Sequence, residues 1–179
     1  MVSAFHASPE GMMISAIKWG WQPHWATGKR PPPINARVET VATNRFFKGA
    51  WPSRLLVPAT GWYEWVPDVN DPKRKQPYFI HLKTGEPMFL AGIGREGEGF
   101  VILTADSEGG MVDIHDRRPI VLAPNVALEW MDPNTDQRRA EEIVLTQATS
   151  TEAFAWYPVG KAVGNVRNHG AQLILPLVD

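Results

Sequence analysis

The chain has 179 residues and a mass of 20.0 kDa, a size that suits one domain with a buried core. It contains no cysteine, which excludes disulfides, thiolate nucleophiles and cysteine-ligated metals. Its net charge of −1 excludes a globally basic nucleic-acid binder. The sequence has no apolar run of membrane-spanning length and no basic-then-apolar start, so we expect no membrane contact and no signal peptide. We expect a monomeric protein in the cytoplasm.

Short apolar strands dominate the predicted elements. In chain order they lie in "MISAIKWGW", "RLLVP", "GWYEWV", "PYFIHL", "PMFLAGI", "GFVILTA" and "RPIVLA". We predict that "PYFIHL" and "PMFLAGI", joined by "KTGE", form a hairpin, and that "GIGREGEG" is a hairpin loop.

Three helices are predicted, over residues 38–48, 124–131 and 135–146. On the first, Arg37, Arg45 and Lys48 would share one basic face. Many short strands with few helices predict an α+β domain: a mostly antiparallel, folded-over or barrel-like sheet core with about three short helices.

Positive charge is concentrated between Gly28 and Arg54. Six cations less the single acid Glu39 give a local charge of +5: Lys29, Arg30, Arg37, Arg45, Lys48 and Arg54. Trp25 and Trp51 fall in or beside this stretch. Since local patches decide phosphate binding more than net charge does, the stretch is a candidate nucleic-acid surface.

Three polar residues are candidates for chemistry, each with a structural alternative. Glu64 in "GWYEW" is either solvated or, if it shares a cleft face with Trp62, a carboxyl of raised pKa able to act as acid or base. His115 in "VDIHDRRPIVL" is either a turn residue hydrogen-bonded to Asp113 or Asp116 or a general acid/base. A zinc site is disfavoured, because no second histidine lies at helical or strand spacing from it. Asn35 either caps a helix or donates its amide to a substrate beside Arg37.

The ordered motifs of this chain resemble the SOS response-associated peptidase (SRAP) family. The resemblance rests on segments in the family's order that together cover nearly the whole chain: "WGW" (19–21), "PPINARVET" (32–40), "GWYEW" (61–65), "ILTADS" (102–107), "VDIHDRRPIVL" (112–122) and "AVGNVRN" (162–168). It implies one domain over 1–179 that binds single-stranded DNA, processes abasic sites in the DNA damage response, carries autoproteolytic peptidase activity and needs no cofactor.

The resemblance also implies residue roles. Asn35 would orient the sugar, Glu64 would shuttle protons, and His115 would assist opening of the sugar ring and its reversal. The DNA-binding positions that the resemblance implies are an aromatic wedge that stacks on a base, three backbone-binding arginines and a threonine near the reacting centre: Trp25, Arg37, Arg45, Arg118 and Thr104. We add Lys48 from the basic helix face and Arg117, the second arginine before the "PIVL" strand, as further phosphate ligands.

The family's nucleophile has no counterpart in this sequence. The resemblance implies a cysteine directly after the initiator methionine, whose amine and thiol capture the abasic aldehyde as a thiazolidine, and a chain without cysteine cannot form that ring. Because "MVSAFHASPEGMMISAIKWGW" matches only from a strand inside the domain, we expect an N-terminal truncation relative to the family, with a mis-assigned start, a true truncation and a degenerate paralogue left open. An unpaired sheet edge with exposed apolar residues is then expected.

Three functional hypotheses follow. The first is a truncated SRAP domain of a family that captures abasic DNA; without the cysteine, an unprotonated α-amino group would attack the aldehyde to form a Schiff base, with Glu64 promoting β-elimination. The second is a module that binds single-stranded DNA without covalent chemistry. The third is a folded remnant without activity.

Overall fold

Two compact units make up the chain in the computed structural model, which describes residues 1–26, 28, 31–68 and 71–177. The first unit comprises residues 1–59, 88–105 and 118–149. The second comprises residues 60–87, 106–117 and 150–179. Lys29 and Arg30, two cations of the predicted basic stretch, lie outside the described residues.

Eleven strands are present among the described residues: β1 (Val2–Ser8), β2 (Gly11–Ile17), β3 (Asn35–Arg37), β4 (Arg54–Ala59), β5 (Trp62–Pro67), β6 (Lys75–Leu82), β7 (Met88–Arg95), β8 (Gly99–Asp106), β9 (Arg117–Pro119), β10 (Val121–Leu122) and β11 (Phe154–Pro158). The larger sheet has eight strands in the order β2-β1-β4-β7-β8-β3, with β10 on β7 and β9 on β8. Along that order only β3 and β8 are parallel. The mostly antiparallel α+β prediction is confirmed, and among the described strands the sheet does not close into a barrel.

The β7–β8 connection is a tight hairpin. Arg95 pairs with Gly99, and the loop between them places Gly97 at a φ of +82°, where a residue without a Cβ is favoured. The prediction of a hairpin at "GIGREGEG" is therefore confirmed, but the loop is only residues 96–98, because residues 92–95 belong to β7.

The predicted hairpin of "PYFIHL" and "PMFLAGI" is wrong. These segments form β6 and β7, which belong to different sheets. In the smaller sheet β6 is the central strand, with β5 on one side and β11 on the other. Both of its hydrogen-bonding edges are thus occupied, and β7 pairs instead with β4, β8 and β10.

Three helices form, as predicted, but the first is much shorter than the 38–48 expected. They are α1 (Val38–Val41), α2 (Pro124–Met131) and α3 (Gln137–Thr146). Helix α1 ends because Asn44 starts a new turn: its side-chain oxygen accepts from the Phe46 amide at 2.9 Å, a local bond that competes with helix. Helix α3 begins where the Asp136 carboxylate accepts from the Arg139 amide at 2.8 Å.

The first unit has a core built around three tryptophans. Trp21, Trp51 and Trp130 are at most 3% exposed, and Trp51 and Trp130 meet edge to face at 5.9 Å. Helix α2 packs on β4 and β7 and brings Trp130 into this core, where its indole N–H donates to the Leu55 carbonyl at 3.1 Å. This packing anchors the sheet whose strands β3 and β8 carry Arg37 and Thr104.

The outer strand of the larger sheet exposes apolar side chains. At one end of the sheet order, β2 leaves Met12 56%, Met13 45% and Ile14 61% exposed. In the described part of the chain, no helix has the length and apolarity needed to span a bilayer.

Candidate functional site

Glu64 lies on β5 in the second unit and shares a face of that strand with Trp62. Alternation along β5 puts Tyr63 and Trp65 on the opposite face, where Tyr63 packs against Phe79 at 5.4 Å. Trp62 packs edge to face on Phe154 at 5.3 Å. The Glu64 side chain is 22% exposed, so it is half-buried beside an aromatic wall.

The environment of Glu64 raises the pKa of its carboxyl group. Desolvation by burial is the largest cause, and the Asp116 carboxylate raises the pKa further. The His115 imidazole opposes part of the shift. The cleft alternative weighed for Glu64 therefore describes its environment better than the solvated one.

His115 follows a short 3₁₀ turn over residues 109–113 in the second unit. Its backbone amide donates to the Met111 carbonyl at 3.0 Å. Its Nδ1 lies 2.9 Å from both the amide nitrogen and the carbonyl oxygen of Arg117, and 3.1 Å from an Asp116 carboxylate oxygen. These contacts fix the ring so that Nε2 lies 4.0 Å from Oε2 of Glu64.

Nδ1 of His115 has a hydrogen-bond partner in two protonation states. In the neutral ring, Nδ1 accepts the Arg117 amide hydrogen and Nε2 carries the proton towards Glu64. In the imidazolium, Nδ1 donates to the Arg117 carbonyl or to Asp116 instead. Because Nδ1 is paired in both states, the ring can give and take a proton at Nε2 without moving, which suits general acid–base chemistry.

The two arginines after His115 have different surroundings. Arg117 is partly buried, and its Nη1 donates to an Asp106 carboxylate oxygen at 2.6 Å. Arg118 is buried, with 7% exposed. Their predicted roles as phosphate ligands stay predictions.

Asn35, Arg37 and Thr104 meet on the β3–β8 pair in the first unit. Asn35 and Arg37 are exposed on β3, and Arg37 lies opposite Thr104 in the register. Thr104 is 9% exposed and its hydroxyl donates to the Ala36 carbonyl at 3.5 Å. Asn35 does not cap helix α1, because Arg37 occupies the N-cap position.

Trp25 and Arg45 form an exposed aromatic and cationic surface in the first unit. Trp25 is 57% exposed, and its ring meets Phe46 edge to face at 5.8 Å. The Arg45 guanidinium lies 5.8 Å from the Trp25 ring centre. Lys48, three residues after Arg45, is also exposed. Arg54, in the same basic stretch, is only 8% exposed and is therefore not part of this surface.

No group of three or more His, Asp or Glu side chains in the described ranges is arranged to hold a metal ion.

Comparisons with known proteins agree with the ordered motifs. The family model described as "SOS response associated peptidase (SRAP)" matches residues 1–166. The chain belongs to the SRAP family. The abasic site processing protein YedK of Escherichia coli is 44% identical over 176 residues, covering 94% of this chain and 77% of YedK. The abasic site processing protein YoqW of Bacillus subtilis is 31% identical, covering 90% of this chain and 75% of YoqW.

A solved structure supports the same SRAP fold. The crystal structure of a phage-related protein from Bordetella bronchiseptica superposes with a TM-score of 0.76 at 40% identity, covering 88% of this chain and 77% of that one. A protein from Bacteroides thetaiotaomicron shares the fold with a TM-score of 0.78 at 23% identity.

Sequence reasoning missed the role of Asp106 in this SRAP chain, which pairs with Arg117. Asp106 lies in "ILTADS", two residues after a strand threonine, and that position was the available signal. Asp116, one of the two predicted hydrogen-bond partners of His115, does contact its Nδ1. Which carboxylate forms each contact is set by the turn geometry, which local pattern does not specify.

Proposed function

We propose that this SRAP-family chain binds single-stranded DNA and processes abasic sites in it, with Glu64 and His115 as its proton-transfer pair. The observation that carries the proposal is a half-buried carboxyl of raised pKa whose oxygen lies 4.0 Å from an imidazole nitrogen. Family membership and relatives named abasic site processing proteins supply the substrate class.

The chemistry of an abasic sugar needs such a pair. The closed sugar is a hemiacetal: opening removes the proton of the C1 hydroxyl, breaks the C1–O4 bond and protonates O4, leaving an aldehyde at C1. β-Elimination then removes a C2 proton as the C3–oxygen bond breaks and the phosphate leaves. Each step pairs a base with an acid, and Glu64 with His115 can supply both.

The DNA-binding part of the proposal rests on the first unit. An exposed tryptophan under a guanidinium stacks on any base, because every base has a π-face, and contributes about 1–3 kcal/mol per stacked base. Exposed Arg37, Arg45 and Lys48 supply the phosphate contacts, and Asn35 is exposed on the same strand as Arg37.

The test compares three single-stranded oligonucleotides of one sequence: one with an abasic site, one with a tetrahydrofuran in its place and one intact. We expect the chain to incise the abasic strand faster than buffer does, as separated on a denaturing gel. The tetrahydrofuran strand controls for the aldehyde, since it has no C1 hydroxyl and cannot open. Equal incision rates with and without saturating protein would reject the processing role.

A second candidate function is non-covalent binding of single-stranded DNA. The exposed Trp25–Arg45 pair favours it, because that surface needs no reactive sugar. Equal affinity for the intact and abasic strands, without incision, would establish it in place of processing.

Arg45→Ala provides a direct test of the DNA surface. Loss of one phosphate contact should reduce the slope of log affinity against log salt for an intact single strand by about 0.7. Fluorescence anisotropy titrations at several salt concentrations measure the slope. The charge-matched control is Arg138→Ala on the exposed side of α3, and an equal change in that variant would show that only net charge matters.

A further inference from the structure

The turn that carries Trp25 has little support from its own backbone. It is a three-residue 3₁₀ turn, His24–Ala26, closed by the Ala26 amide donating to the Pro23 carbonyl at 2.9 Å. The Gln22 side chain adds one bond to the Ala26 carbonyl at 2.9 Å. So short a turn is weakly held by its own bonds, and the direction of an exposed ring on it depends on side-chain contacts.

A buried carboxylate contacts this turn at the residue before Trp25. Oε1 of Glu98 lies 3.1 Å from Nε2 of His24, the residue directly before Trp25. The Glu98 side chain is 7% exposed, whereas that of His24 is 89% exposed. The exposed imidazole of His24 is thus held by a buried carboxylate directly before β8.

Glu98 is itself fixed by three further contacts. Its Oε2 accepts from Nε and Nη2 of Arg95, each at 2.7 Å, across the β7–β8 hairpin. Its carbonyl accepts from the Gln22 amide at 3.0 Å. One carboxylate oxygen of Glu98 therefore contacts Arg95 in the hairpin, and the other contacts His24 in the turn. The arrangement is rigid because charge-assisted hydrogen bonds are short and directional.

An ion pair with an exposed imidazole adds little to the free energy of unfolding, so its main effect is to hold the His24 side chain in place. We propose that Glu98 is a positioning residue that acts through His24 to fix the direction of the Trp25 ring for base stacking. This inference rests on the proposed DNA-binding role of Trp25. In the protein without DNA, Glu98 and His24 would already hold the ring in the direction that stacking needs.

The experiment uses the full chain and a single strand carrying 2-aminopurine, whose fluorescence is quenched when it stacks on an aromatic ring. His24→Ala removes the tether while leaving Glu98 on Arg95. We expect affinity about fivefold weaker and a matching loss of quenching, since part of one stacking contact is lost. His24→Gln keeps a donor towards Glu98 and should restore most of both signals, and Glu98→Gln should resemble His24→Ala.

A double-variant cycle separates positioning from a general structural role. In a Trp25→Ala background, His24→Ala should cause no further loss, because the ring it positions is absent. The control is Glu96→Gln, an exposed carboxyl in the same hairpin loop, which should bind as the wild type does. An equal loss of affinity from His24→Ala with and without Trp25, or full quenching in His24→Ala, would overturn the positioning role of Glu98 and leave the stacking role of Trp25 standing. Unchanged binding by Trp25→Ala would overturn the stacking role and the inference with it.

Discussion

Glu64→Gln should reduce the rate of abasic-strand incision by at least about 100-fold, the usual scale for removing a general acid–base group. The amide keeps the size of the side chain and its place beside Trp62 and His115, but it neither accepts nor releases a proton. Binding to the tetrahydrofuran strand should change little. Single-turnover incision assays on a denaturing gel measure the rate, and anisotropy measures the binding.

The same substitution should make the protein more stable at neutral pH. Burial raises the pKa of Glu64 above its ordinary value of 4.5, so the folded chain binds this proton more tightly than the unfolded chain does. The stabilisation is fully present below the ordinary pKa and is lost as pH rises through the raised pKa. Glu64→Gln avoids that loss, so its Tm should exceed the wild-type Tm at pH 7.5 and the gap should close towards pH 4.

The matched control for both measurements is Glu86→Gln, an exposed carboxyl after β6 in the same unit. It should leave incision and the Tm difference across pH unchanged. Wild-type incision by Glu64→Gln would remove Glu64 from the mechanism, and a lower Tm at pH 7.5 would contradict the desolvated carboxyl. A loss of incision together with a gain in stability is the combination expected of a functional group held in an unfavourable environment.

The strands of this protein are predictable from sequence wherever an apolar run is bounded by turn residues. That local signal locates β4 to β8, but it does not specify partners, which is why β6 and β7 were placed in one hairpin. It also misses β3, a strand of three residues held by its parallel pairing with β8. Partner choice depends on which edges remain open after the rest of the sheet forms.

The candidate site shows the same limit at the level of single residues. Both faces of β5 carry aromatic side chains, so alternation alone cannot say which face buries Glu64. His115 lies 51 positions further along the chain (115 − 64), and their 4.0 Å approach is a long-range contact that no local pattern encodes. The family resemblance names both residues, whereas the buried state of Arg54 and Arg118 emerges only from packing.

Arg54→Met should lower the free energy of unfolding by about 3 kcal/mol, the scale for removing a buried charged donor from several acceptors. Its Nε donates to the Trp130 carbonyl at 2.6 Å, and its Nη2 donates to the carbonyls of Asp132 and Thr135 at 2.8 Å each. These carbonyls lie at and beyond the end of α2, where helical backbone has no partner of its own. Methionine keeps packing against Trp130 but removes the side-chain donor from all three carbonyls, of which that of Asp132 still accepts from a backbone donor, the Thr135 amide at 3.0 Å.

Urea unfolding followed by circular dichroism measures this loss. Arg138→Met, on exposed α3, is the matched control and should unfold within about 0.5 kcal/mol of the wild type. Arg54→Lys separates charge from geometry: it retains the cation but cannot reach three carbonyls at once, so its stability should fall between the two. Burial lowers the pKa of Arg54, which shows that the cation is held at a desolvation cost. A change below about 1 kcal/mol in Arg54→Met would mean that this cost offsets the three bonds, and that α2 is anchored by Trp130 alone.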